Sequence, residues 1–215
     1  GSEMCIRDSF VRDGKIHYFY TGNVKHFDRD DYDYVLTGRE QNQIHMVAEN
    51  PDELGEKRIA VGPVDYPDDI GTHVRDPKIL EHDGIYYMVL GARTKDDRGC
   101  VLVYTSRNLE DWSYATRIEL DEKFGFMWEC PDLFPLRVEG SRETKWVLLA
   151  SVVNFTDSPD KLATATQYFI GDFDGTKFTS DQRDTLWIDY GKDNYAGITF
   201  DNAPNGRRIF VGWMH

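Results

Sequence analysis

The feature of this 215-residue chain that most narrows its fold is an internal repeat of strand-sized segments in a fixed order. A search for self-similarity finds three kinds of segment. The first is Arg75-Asp76-Pro77-Lys78-Ile79-Leu80, echoed by Glu129-Cys130-Pro131-Asp132-Leu133-Phe134 and more loosely by residues 195–200. The second follows a turn, as Asp83-Gly84-Ile85-Tyr86-Tyr87-Met88-Val89-Leu90, and is matched at residues 13–20, 145–150 and 208–213. Counting from Ile16 to Ile85, Trp146 and Ile209 gives spacings of 69, 61 and 63 residues, which sets the length of the unit. The third kind is residues 101–106 running into Asn108-Leu109-Glu110-Asp111-Trp112, matched at 44–54 and 167–175.

Asp-Gly pairs at Asp13, Asp83 and Asp174 are hairpin signals, because glycine takes positive φ without a Cβ clash. The short β-branched and aromatic runs between turns read as antiparallel strands. No 3.6-residue apolar period persists long enough for a substantial helix. With a fourth strand near residues 116–120, each unit becomes a four-stranded antiparallel sheet of about 60 residues, the blade of an all-β propeller. A β-sandwich also has short alternating strands; the ordered recurrence of three strand types favours the propeller. Residues 70–125 and 126–190 read as two full blades. Residues 10–69 read as a blade without its first strand, and 191–215 as one without its last two. Gly1-Ser2 reads as a tag and residues 3–9 as a non-native segment, leaving 10–215 as an incomplete propeller. Propellers close with about four to eight blades, so exposed blade faces and self-association are expected.

Composition removes other classes. A chain that is 40% hydrophobic and 29% charged is globular, and no apolar run approaches the roughly 18 residues of a membrane helix. With 25 Lys+Arg against 38 Asp+Glu, the formal charge is −13. Such a surface repels phosphate and anionic lipid, so neither nucleic acid nor membrane is an expected partner. Three scattered cysteines make no disulfide framework, and six histidines show no ligand spacing, so no metal or other cofactor is implied. Asp28-Arg29-Asp30-Asp31-Tyr32-Asp33 lacks the Gly and closing Glu of a calcium loop and reads as solvated. Asn154-Phe155-Thr156 is a glycosylation sequon by pattern only.

In a propeller the first strand of each blade lines the central channel. Two carboxylates stand at corresponding places there: Asp76 beside Arg75, and Glu129 between Trp128 and Cys130. The apolar neighbours of Glu129 would raise its pKa and keep it protonated as a general acid. An Arg75 sharing the same space would hold Asp76 ionised, although strand neighbours ordinarily face opposite ways. Singly, Asp76 also reads as an Asp-Pro turn opener, and Glu129 as a surface carboxylate near a strand end. Recurrence in consecutive repeats favours paired carboxylates doing glycosidic acid/base work.

At these residues the chain resembles a known family. Arg75-Asp76-Pro77, Trp128-Glu129-Cys130-Pro131-Asp132, Asp189-Tyr190-Gly191-Lys192-Asp193-Asn194-Tyr195-Ala196 and Gly212-Trp213-Met214 are similar, in order, to motifs of glycoside hydrolase family 32. That family contains invertases, sucrose-6-phosphate hydrolases and exo-fructanases. The resemblance implies a five-bladed β-propeller followed by a β-sandwich, and retaining hydrolysis of a terminal β-fructofuranoside without a cofactor. It implies Glu129 as general acid/base and Asp76 as the transition-state stabiliser. Arg75, Trp128, Cys130, Tyr195 and Trp213 fall in or near the sugar site. The family's nucleophile lies in a Trp-Met-Asn-Asp-Pro-Asn-Gly motif that this sequence does not contain, so the chain alone is expected to be inactive, and a fructoside-binding module is the alternative. Residues 19–25 and 88–93 look like sucrose-6-phosphate hydrolases, whereas 144–151, 166–175 and 187–200 look more like exo-fructanases.

Overall fold

The computed structural model describes residues 6–33, 35–120, 125–153, 164–191 and 193–214. Its strands form four consecutive antiparallel units. The first sheet runs β1 (Ile6–Arg12), β2 (Lys15–Lys25), β3 (Arg39–Ala48) and β4 (Lys57–Val61) in sequential order. The second runs β5 (Ile70–His82), β6 (Ile85–Thr94), β7 (Gly99–Ser106) and β8 (Ser113–Ile118). The third contains β9 (Met127–Arg137), β10 (Thr144–Val153), β11 (Thr164–Phe173) and β12 (Phe178–Thr179), with β13 (Leu186–Trp187) also pairing β11. A two-stranded sheet of β14 (Asn194–Ala203) and β15 (Arg207–Met214) follows. Sequential four-stranded meanders of this kind are propeller blades.

The hairpin signals work as the sequence implies. Asp13 and Gly14 take φ of 51° and 76°, and Asp83 and Gly84 take 52° and 72°. Two positive φ values in a row match the twist of the flanking strands and fix the β1–β2 and β5–β6 registers. The outer edge of the third blade is divided. β12 pairs the end of β11, β13 pairs its start, and the Gln182 side chain fills the gap. Its Nε2 donates to the Tyr168 carbonyl at 2.9 Å, and its Oε1 accepts the Ile170 N–H at 3.3 Å. A side-chain amide thus stands in for ladder bonds that would otherwise be lost.

The core lies between blades. One cluster packs Phe19 and Val61 of the first sheet against Ile79, Met88, Leu90, Leu102 and Tyr104 of the second. The other packs Tyr87, Val89, Val101 and Val103 of the second against Trp128, Leu133, Leu148 and Phe169 of the third. β6 and β7 are therefore covered on both faces, which is why they read as near-continuous apolar runs rather than alternating ones.

Two expectations change. The opening blade has its first strand: Ile6–Arg12 pairs β2, and residues 6–9 belong to the sheet rather than lying outside it. Three blades therefore have at least four strands, not two. Ile6-Arg7-Asp8-Ser9-Phe10-Val11-Arg12 carries three charges and no clean alternation, so its pattern hides a strand. The sequon at Asn154 lies outside the described residues. The β14–β15 face leaves Phe200, Ile209, Val211, Trp213 and Met214 exposed.

Candidate active site

The site is built from irregularities that recur in the innermost strands. β5, β9 and β14 each carry one extra residue relative to the neighbouring strand, between Arg75 and Lys78, between Glu129 and Asp132, and between Tyr195 and Ile198. Inside each bulge one residue adopts left-handed φ: Asp76 at 62°, Cys130 at 48° and Ala196 at 54°. Non-glycine residues enter this region at a cost of about 1–2 kcal/mol, and such strain clusters where side chains must be re-aimed. Proline follows at Pro77 and Pro131, where no ladder N–H is needed.

The bulges agree with the motif alignment through Pro77 and Pro131 and correct the pairing of the two carboxylates. Asp76 corresponds to Cys130, and Arg75 corresponds to Glu129 and Tyr195; Asp76 and Glu129 are not equivalent. They also break strand alternation, so that Arg75 and Asp76 reach the same neighbourhood.

Asp76 is buried, and its Oδ2 accepts the Cys130 backbone N–H at 2.9 Å and the Cys130 thiol at 3.5 Å. Its own N–H donates to Thr21 Oγ1 of the first blade at 3.0 Å. Glu129 is partly exposed. Its Oε1 lies 3.5 Å from Arg75 Nε, an ion-pair contact, and its Oε2 accepts a short hydrogen bond from the Tyr195 hydroxyl. Burial, reinforced by the Glu129 charge, pushes the Tyr195 hydroxyl pKa far up, so it remains a donor. Arg75 is steered by His73, two residues along the same face, whose Nδ1 lies 2.5 Å from Nη2.

The structure thus brings Arg75, Asp76, Glu129, Cys130 and Tyr195 together from three blades. Trp213 is the ladder partner of Tyr195 and 66% exposed, so it flanks the cluster with a free indole face. Trp128 is different: it is 1% exposed and stacks on Phe169 in the core, with ring centroids 5.6 Å apart. It supports Glu129 from behind and presents no surface to a sugar. The apolar neighbours of Glu129 in sequence are therefore not the neighbours of its carboxylate, which meets a guanidinium and a phenol instead.

Sequence reasoning missed two polar groups around the cluster. Gln41 and Gln43, both buried in β3, reach across to β5. Farther along the channel, Lys78 Nζ bonds Asp8 Oδ1 at 3.0 Å, and Asp132 Oδ2 accepts the Thr199 N–H and hydroxyl at 2.8 and 2.6 Å. Burial raises Asp8 to about 6 and also raises Asp132; Lys78, although burial opposes its charge, is held up by both carboxylates. Two glutamines at period 2 in a buried strand are a legible anomaly; the Asp8–Lys78–Asp132 group, drawn from three blades, has no local signal.

The innermost strands of this propeller thus converge on two carboxylates, a guanidinium and a phenol. The chain belongs to glycosyl hydrolases family 32: residues 7–215 match the N-terminal domain of that family. It is 38% identical over 184 residues to the levanase of Bacillus subtilis (strain 168), covering 82% of this chain and 26% of that protein. It is 33% identical over 219 residues to the sucrose-6-phosphate hydrolase of the same organism, covering 98% and 42%. Among solved structures, the Bombyx mori GH32 β-fructofuranosidase superposes with a TM-score of 0.74 at 28% identity, over 96% of this chain and 42% of that one. The chain spans less than half the length of these relatives. Their names divide between fructan and sucrose-phosphate enzymes, as the motifs of the sequence do.

Proposed function

We propose that this chain forms the acid/base and sugar-gripping part of a β-fructofuranosidase site, recognising the terminal β-fructofuranosyl unit of sucrose, sucrose 6-phosphate or a fructan. The observation that carries this reading is the convergence of Glu129, held by Arg75 and Tyr195, with Asp76, held by the Cys130 backbone. A variant of the Bombyx mori enzyme has been solved in complex with sucrose, which supports the substrate class.

In the reaction, Glu129 protonates the leaving glycosidic oxygen and then activates water, while Asp76 accepts hydrogen bonds from fructosyl hydroxyls that tighten in the transition state. Arg75 steers the Glu129 carboxylate, and the Tyr195 hydroxyl fixes its second oxygen. A retaining reaction also needs a carboxylate nucleophile. The family's Trp-Met-Asn-Asp-Pro-Asn-Gly motif is not in these 215 residues, so the isolated chain binds fructosides without turning them over. Calorimetric titration with fructose and sucrose, paired with a fructose-release assay, tests this. The expected result is binding that Asp76→Asn and Glu129→Gln weaken, with no release; release from sucrose that vanishes in Glu129→Gln refutes the inactivity.

A further inference from the structure

We propose that Thr21 and Gln43 of the first blade are positioning residues for Asp76, acting through a buried relay that crosses the blade boundary. The proposal rests on the fructoside reading for its ligand but on geometry alone for the relay. The Asp76 N–H sits inside a bulge and donates to Thr21 Oγ1 at 3.0 Å. Thr21 has a single hydroxyl proton, which it donates to Gln43 Oε1 at 2.8 Å. The Gln43 amide nitrogen then has two protons to place. One goes to the Val74 carbonyl at 2.9 Å and the other to Tyr66 Oη at 3.0 Å. A carbonyl can only accept, so the Gln43 amide has one orientation, and that orientation makes Thr21 an acceptor toward Asp76.

The relay is closed on itself. The Tyr66 hydroxyl donates to the Gln41 carbonyl at 2.6 Å, and Gln41 Oε1 accepts the Val74 N–H at 2.9 Å. Gln41 and Gln43 therefore bind both backbone groups of Val74, two residues before Asp76, much as a neighbouring strand would. Gln43 is 0% and Gln41 4% exposed, so no water can replace a lost partner cheaply. Asp76 needs such bracing because its left-handed φ of 62° is unfavourable for an aspartate. Blade one fixes its backbone and blade three, through Cys130, fixes its carboxylate.

The test uses the full chain. In the unmodified protein, the Asp76 amide should exchange with deuterium as slowly as the ladder-bonded amides of β5; free exchange there overturns the proposal without any variant. In Thr21→Val, which keeps the shape and removes the hydroxyl, Asp76 amide exchange should rise at least tenfold more than that of Met88 and Val89. Fructose or sucrose affinity should fall about tenfold, and Thr21→Ser should restore both. Uniform acceleration across β5 and β6 would show a merely structural role and overturn it, as would unchanged exchange. If the unmodified chain binds no fructoside but the Asp76 amide behaves as stated, the relay stands and the functional reading falls.

Discussion

Gly91→Ala tests the geometry of the blade seam that carries Glu129. Gly91 lies in β6, paired with Arg75 on one side and Val101 on the other. A Cβ added there would stand 2.2 Å from the Trp128 carbonyl oxygen, 2.9 Å from its carbonyl carbon and 3.1 Å from Glu129 Cα. Non-bonded heavy atoms settle near about 3.5 Å, so blades two and three must separate by about 1 Å. The obstructing atoms are backbone, which cannot swing aside as a side chain could. Overpacking of this kind costs about 1–3 kcal/mol, and in a chain of this size each kcal/mol lowers Tm by about 2–4 °C. Calorimetry should therefore show a fall of about 2–12 °C. The displacement also falls where Arg75 meets Glu129, so amide shifts of residues 128–130 should move. Gly84→Ala is the control: its Cβ meets nothing within 4 Å, but its φ is +72°. It should cost about 1–2 kcal/mol from backbone strain alone and leave the residues 128–130 shifts in place. A Gly91→Ala protein that melts with the parent and keeps those shifts would refute the close-approach argument.

Asp8, raised by burial to about 6 against 3.8 unfolded, binds a proton more readily when folded. Its share of stability is complete below the unfolded value and lost as pH rises through about 6; denaturant titrations at several pH values should show parent stability falling relative to Asp8→Asn by roughly 2–3 kcal/mol between acid and neutral pH, and parallel curves would contradict this. His45 works in the opposite direction: burial, then Arg58 and His17, lower it to about 3. Its contribution is present above the ordinary histidine value of 6.5 and is lost as pH falls through about 3, with a slope of at most about 1.4 kcal/mol per pH unit that His45→Gln should abolish in the same titrations. Leu148→Ala empties a fully buried position between blades two and three and should cost about 2–5 kcal/mol by chemical denaturation; a loss under about 1 kcal/mol would mean the seam collapses around the gap. The exposed Phe200, Ile209, Val211, Trp213 and Met214 should drive concentration-dependent self-association, which light scattering would contradict by finding a monomer throughout.

Much of the architecture was legible in the sequence because it depends on local physics. Asp-Gly pairs demand tight hairpins, and period-2 or fully apolar runs demand strands, so the order of three strand types located the blades. The outer strand of the second blade came within three residues of its expected start. What the sequence hid depends on bulges and on contacts between blades. Left-handed φ at Asp76 and Cys130 carries no glycine to announce it, so strict alternation places Arg75 and Asp76 on opposite faces, and pairing the two carboxylates by charge overlooks that the motif alignment through Pro77 and Pro131 sets Asp76 against Cys130. By resemblance Trp128 falls in or near the sugar site; Phe169, 41 positions away in the chain, and Gly99 on the other side put it in the core. β1 escaped notice because Asp8 is buried in it, a placement made tolerable by Lys78 seventy residues on.

The central claim is that Arg75, Asp76, Glu129 and Tyr195 form one fructoside site across three blades, and titration of isotope-labelled protein with sucrose tests it most directly. Saturable amide shifts centred on residues 75–76, 129–130 and 195, lost in Asp76→Asn, are the predicted result. Sucrose that shifts no resonance, or only resonances remote from those residues, would contradict the account.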